Sequence, residues 1–136
     1  MSEQRKAAIK RVVEEAWNKG NLDVIDEFYA PNFALRRFGL GDFDLEGIKD
    51  AIRQSRKAFP DYQMTIEDII VEGDKAAMRY SWRGTHTGES TLMGPPTGKK
   101  VEVVGIGITH WVGGKLVDEW NYQDNMGMFQ QLGFIP

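Results

Sequence analysis

The chain has 136 residues, a formal net charge of −3, 41% hydrophobic and 27% charged residues, and no cysteine. That length suits one domain with its own core, and that balance is globular rather than disordered. The mild acidity and lack of a basic run argue against nucleic acid, and the missing cysteines exclude disulfides, a thiol nucleophile and thiolate metal sites.

The opening residues are polar and charged, unlike a secretory leader. No apolar run approaches the roughly 20 residues of a membrane span. The expected location is cytoplasmic. Two histidines, without HExxH spacing, offer little to a metal, and no Gly-rich phosphate loop precedes a helix. No metal and no cofactor are expected.

In chain order, Ile9, Val12, Val13, Ala16 and Trp17 recur at helical spacing. Gly20 stops that helix. Asn21 caps a short second helix carrying Val24, Ile25 and Phe28, and Pro31 is expected to end it. A short strand is expected from Phe33 to Phe38. Asp44 opens a third helix with Ile48, Ala51, Ile52, Ser55 and Phe59 on one face, closed by Pro60-Asp61.

The apolar period then changes from about 3.6 to 2. Met64, Ile66, Asp68 and Ile70 form one face of a strand ending at Gly73-Asp74, and Ala76, Met78, Tyr80 and Trp82 one face of the next. Residues 88–100 form a loop rich in Gly and Pro. Val101 to Val112 and Lys115 to Asn121 are strands joined by Gly113-Gly114, a pair suited to a tight hairpin. A last helix covers about Met126 to Leu132. Helices first and an antiparallel meander second predict a single α+β domain over residues 1–136, with helices packed on a curved sheet.

Several stretches carry a family likeness: Gly20-Asn21-Leu22-Asp23, Phe59-Pro60-Asp61, Gly84-Thr85-His86-Thr87-Gly88, Pro95-Pro96-Thr97-Gly98-Lys99, Gly114-Lys115, Trp120, Asp124-Asn125-Met126-Gly127 and Gln131-Leu132-Gly133. In this order the chain resembles the SnoaL-like polyketide cyclases (ester cyclases) of the nuclear transport factor-like fold. The resemblance implies a cone-shaped α+β barrel, a hydrophobic pocket between helices and sheet, and a homodimer. It also implies a proton-abstracting carboxylate at the position held here by Asn121, and a histidine partner where Gly107 stands. An amide cannot abstract a proton from carbon at neutral pH.

The residues themselves leave Asp124 as the candidate base, since a carboxylate at the closed end of an apolar cavity is poorly solvated and its pKa rises. The alternative is that Asp124 caps the last helix. His86 is the candidate proton shuttle or carbonyl donor, against a histidine held by neighbouring threonines. His110 and Asn121 are candidate substrate contacts. Trp17, Phe33, Phe59, Tyr80, Trp82, Trp120 and Tyr122 are candidate pocket walls or core, and Tyr80 and Tyr122 can donate to an oxyanion. Trp111 belongs with the core candidates. Arg79 and Arg83 share one strand face, expected to be the solvated or dimer side rather than a site for an anionic substrate. With a strict two-residue turn, His110 faces Val117, Gly107 faces Trp120, and His110 and Asp124 lie too far apart for a dyad.

The expected function is cofactor-independent acid/base catalysis, of cyclase or isomerase type, on a small hydrophobic carbonyl compound. A non-catalytic binding protein for a hydrophobic small molecule is the alternative. An epoxide-hydrolase-like reaction ranks third, because it needs two carboxylates bracketing an arginine. Neither nucleic acid nor a membrane is expected as partner.

Overall fold

The computed structural model describes residues 2–37, 41–91 and 93–136. Its elements run α1 (Ser2–Arg11), continuing into a π-helical segment (Val12–Trp17), α2 (Asp23–Phe28), β1 (Tyr29–Arg37), β2 (Gly41–Phe43), α3 (Leu45–Ala58), β3 (Gln63–Glu72), β4 (Lys75–Thr85), β5 (Lys100–Val112), β6 (Lys115–Gln123) and α4 (Asn125–Leu132). The strands form one sheet in the order β2-β1-β6-β5-β4-β3. The α+β class and the helix-then-meander order are as expected. The sheet, however, is mixed: β1 pairs in parallel with β6, whereas an antiparallel sheet was expected. Among the described residues, no helix is long and apolar enough to cross a membrane.

The expected first helix spans the right residues, but its last six wind as a π-helix. Asn18 closes that end: its backbone N–H bonds the Val13 carbonyl, and its side chain both accepts from Met64 N (2.7 Å) and donates to Met64 O (3.0 Å). The helix is thereby stitched to β3. Helix α2 ends at Phe28, three residues before Pro31. Pro31 sits instead inside β1, in the gap in β1–β6 pairing between Tyr29 and Ala34, where no ladder N–H is needed. Phe38, the expected last residue of this strand, lies outside the described residues. Asp44 caps α3 as expected, accepting from Gly47 N at 2.7 Å.

Two bulges overturn the simple strand alternation. In β3 the pairing slips between Ile66 and Asp68, so Ile69 and Val71 join Ile66 against the core, and Ile70 is 67% exposed. In β6 the register shifts so that Trp111 faces Leu116 but His110 faces Asp118, leaving Val117 as the extra residue. Beyond it Gly107 faces Asn121 and Ile108 faces Trp120, one residue off the strict-turn expectation. An extra residue in a strand of period two swaps every later side chain to the opposite face.

Three of the family-like stretches form one clamp. Asp61 accepts hydrogen bonds from Thr85 N (2.7 Å) and Thr85 Oγ1 (2.8 Å). His86 N donates to Lys99 O, Gly98 N to His86 O, and Gly88 N to Ala58 O. A side chain at Gly88 would put its Cβ 1.8 Å from Lys57 O, and one at Gly84 would sit 2.8 Å from Phe59 Cβ. Glycines here allow α3, the end of β4 and the following loop to touch backbone to backbone.

Buried residues fall into two clusters. One gathers Ile9, Val24, Ile25, Phe33, Ile48 and Ile52 beneath the helices. The other centres on Phe59, Tyr62, Trp82 and Val103. Phe59 is fully buried, edge-on to Trp82 at 5.1 Å and tilted against His86 at 5.3 Å. Phe59→Ala is expected to cost about 3–5 kcal/mol of stability, seen as a lower urea midpoint at unchanged slope.

Candidate functional site

Between the two clusters, with walls from both, lies a cavity of about 460 Å³. Helical residues such as Ile9, Val12 and Ile48 close one side, and the inward faces of β1 and β3–β6 the other. The wall is mostly apolar and aromatic, the usual character of a small-molecule site.

On that wall sits Glu119, which the sequence did not single out. Residues Glu119, Asn121 and Gln123 all line the cavity because the Val117 bulge has turned them inward. Asn121 Nδ2 donates to Glu119 Oε2 at 3.0 Å, and Asn121 Oδ1 accepts from the Tyr80 hydroxyl at 2.8 Å. Tyr80 therefore fixes which way the amide points, and the amide presents its N–H to the carboxylate. Burial pushes the Glu119 carboxyl up to about 7, against the opposing pull of the Asn121 hydrogen bond. It is thus poised to exchange a proton near neutrality. Glu119 is half-buried and lines the cavity.

Glycines on β5 make room for this chain. A Cβ at Gly107 would lie 3.1 Å from Glu119 Oε2 and 3.4 Å from Asn121 Nδ2; one at Gly105 would lie 2.5 Å from the Tyr80 hydroxyl. Tyr29 and Tyr62 also line the cavity. Burial raises both phenols well above their ordinary value, and the nearby Glu119 charge adds to this at Tyr29, so both remain protonated donors. A second polar row runs from Trp82 Nε1 to Gln123 Oε1 (3.3 Å) and from Gln123 Nε2 to Asn125 Oδ1 (2.8 Å). Among the described residues, no group of three or more His, Cys, Asp or Glu side chains is gathered as for a metal ion.

Of the residues expected from sequence, Trp17, Phe59, Tyr80, Trp82 and Asn121 line the cavity; Tyr122 borders it but belongs to the outward set of β6 and is 51% exposed. Asp124 does not. It is exposed, and its carboxylate caps α4 by accepting from Gly127 N at 2.9 Å. A Cβ at Gly127 would lie 2.2 Å from Asp124 Oδ2, so the pair is built as a helix start. The expected catalytic role of Asp124 gives way to that cap.

His86 is fully buried in the clamp and does not line the cavity. Its Nδ1 accepts from Thr97 N at 3.3 Å and lies 3.1 Å from Thr97 Oγ1. Burial lowers its pKa, so the ring stays neutral and serves the loop rather than a proton relay. His110 is on the outer face between Asp74 (3.0 Å) and Asp118 (3.4 Å). Trp120 is turned outward by the bulge, 47% exposed beneath the Arg36 guanidinium. Phe33 is core, edge-on to Tyr29 at 4.6 Å, and not a cavity wall. Neither Arg79 nor Arg83 reaches the cavity; Arg79 pairs with Asp68 at 2.7 Å.

What the sequence missed were Glu119, Tyr29 and Arg37, all cavity residues. The available signal was the polar set at 119, 121 and 123 alternating with Trp120 and Tyr122. Hydrophobic patterning alone assigns the aromatic set to the interior, which is the wrong face here.

Comparison with known proteins agrees with this architecture. The family model of the SnoaL-like polyketide cyclases matches residues 7–132. The aklanonic acid methyl ester cyclase AcmA of Streptomyces galilaeus is 30% identical over 139 aligned residues, covering 98% of this chain and 92% of that one. Among solved structures, AclR from Streptomyces galilaeus superposes with a TM-score of 0.85 at 29% identity, covering 100% of this chain and 99% of its own. IdmH from Streptomyces antibioticus gives 0.82 at 31% identity, over 96% of this chain and 99% of its own. With a family model spanning nearly the whole sequence, a relative at this identity and neighbours of this likeness, the chain belongs to the SnoaL-like polyketide cyclase family.

Proposed function

We propose that this protein is a cofactor-independent enzyme in which Glu119 removes a proton from carbon next to a carbonyl of a small hydrophobic substrate. The observation that carries this is a carboxyl on the wall of an apolar cavity, pushed up to about 7 by burial and held by Asn121. In the cyclase form of the reaction, the C–H bond breaks and its proton passes to Glu119. The resulting enolate forms a C–C bond to a second carbonyl carbon of the same molecule. The new alkoxide then takes the proton back from Glu119. The Tyr29 hydroxyl, protonated and close enough to feel the Glu119 charge, is the donor for the enolate oxygen. The cyclase activity in the name of AcmA belongs to that protein and supports the same class here. A hydrolytic reading has less support, since among the described residues Arg37 and a single carboxylate, rather than two carboxylates around an arginine, line the cavity.

A probe that needs no knowledge of the natural substrate is 5-nitrobenzisoxazole. Its C3–H is lost to a desolvated carboxylate as the N–O bond breaks, releasing a coloured phenolate. Glu119→Gln is expected to lower the rate by roughly 10²–10⁴-fold, whereas Asp124→Asn leaves it unchanged in a folded protein. An unchanged rate in Glu119→Gln sinks the assignment.

The wild-type rate should rise with pH and level off above about 7, because only the ionised carboxylate is a base. Asn121→Leu removes the hydrogen bond that favours the ionised form, so the profile should move to higher pH. Stability gives an independent check. A carboxyl with a folded-state pKa raised above its unfolded value favours folding at low pH, and this is lost as pH rises through about 7. Glu119→Gln should therefore raise Tm relative to wild type at pH 8 and lose most of that advantage at pH 5.

A homodimer across the outer face of the sheet fits the same proposal. Val104, Ile106, Ile108, Trp120 and Tyr122 form an apolar stripe on β5 and β6, each between 45% and 55% exposed. A two-fold partner covering this stripe with its own would remove it from water. Ile106→Asp is expected to run as a monomer by light scattering, against a dimer for wild type; a monomeric wild type would refute the dimer.

A further inference from the structure

The cavity holds a second charge that the proposed proton transfer does not use. Of the described side chains lining it, Arg37 and Glu119 alone carry a formal charge near neutrality. Arg37 is in register with Asn121 across the parallel β1–β6 pair, and Glu119 lies two residues back, in register with Leu35. By strand geometry the two backbone positions are roughly 8 Å apart, with Asn121 between them in the sheet. The Arg37 guanidinium lies over the Phe43 ring, 3.7 Å from its centroid, and Phe43 lines the cavity as well. The neighbouring acid, Asp42, pairs with Arg36 at 3.4 Å, and its charge acts on Arg37 as well.

A guanidinium on such a wall has a definite chemistry. It has five N–H donors, so two can meet a carboxylate side by side while the others keep bonds to the protein. The Phe43 ring fixes its plane and partly replaces its lost water. In a mostly apolar cavity with Glu119 as the opposing charge, a ligand bearing one negative group would be held in one orientation.

We infer that Arg37 forms an anion-binding end of the cavity, so that the ligand is a hydrophobic carbonyl compound carrying a carboxylate or comparable acid group at the end away from Glu119. This rests on the cavity being the ligand site, as in the proposed function, but not on Glu119 being the base. Glu119 and an anionic ligand group repel each other, which fixes the direction of binding: the acid group at Arg37, the reacting carbon toward Glu119. Arg37 is then a specificity-determining residue for substrate class.

Two fluorescent probes with the same aromatic body test this: 8-anilinonaphthalene-1-sulfonate, and N-phenyl-1-naphthylamine, which lacks the sulfonate. Wild type is expected to bind the sulfonate about tenfold tighter than the neutral probe. Arg37→Gln should bring the two affinities together by weakening the sulfonate alone. Arg37→Met, which keeps the aliphatic stem, is the second variant should the first not fold. Arg36→Gln, on the outer face beside Trp120, should leave the preference intact and so exclude binding there. Glu119→Gln should keep or increase it. A Glu119→Gln protein that retains the preference and its 5-nitrobenzisoxazole rate would overturn the base and leave the anion site standing. No preference in wild type, a preference that survives in both Arg37 variants, or no binding of either probe overturns the anion site.

Discussion

One extra residue in β6 governs which side chains the cavity of this protein receives. Strands have period two, so a bulge at Val117 exchanges the two faces of everything that follows. Without it, Asp118, Trp120 and Tyr122 would continue the inward set begun at Leu116. With it, Glu119, Asn121 and Gln123 face the cavity, and Trp120 faces solvent. An apolar cone is thereby given an ionisable group in its wall and, on its outside, an apolar stripe.

A buried carboxylate is costly unless its charge is met. Here one hydrogen bond from Asn121 meets part of it, which leaves the group balanced near neutrality rather than fully ionised or fully protonated. The amide in turn is held by Tyr80 from the opposite end. Each member of the Tyr80–Asn121–Glu119 chain has one orientation set by the next, the preorganisation that proton transfer requires. Gly105 and Gly107 are part of the same arrangement, because any side chain there would press on Tyr80 or on the Asn121–Glu119 pair. The position where the family resemblance implies a carboxylate thus holds the residue that tunes one, with the acid itself two residues earlier on the same strand face.

The conspicuous sequence motifs do a different job. Phe59-Pro60-Asp61, Gly84-Thr85-His86-Thr87-Gly88 and Pro95-Pro96-Thr97-Gly98-Lys99 meet through Asp61–Thr85, His86–Thr97 and the Gly88 backbone. They pin the loop after β4 against the end of α3 and keep Phe59 and Trp82 in place along the cavity. Their spacing marks the fold, while the ionisable group of the cavity wall lies in a stretch of β6 with no motif of its own.

Sequence alone determined the α+β class, the helix with its Asp44 cap, the alternating residue sets of β4 and the hairpin at Gly113-Gly114, because helical and strand periods, caps and glycine turns are local properties. It also brought Tyr80, Trp82 and Asn121 forward as site residues. Only the tertiary structure decided between base and cap at Asp124, buried His86 in the clamp, and put Glu119 and Arg37 inside. The physical reason is that a bulge and a parallel β1–β6 pairing are set by packing across the whole sheet. Local periodicity records which residues alternate, but not which alternate set the rest of the molecule will cover.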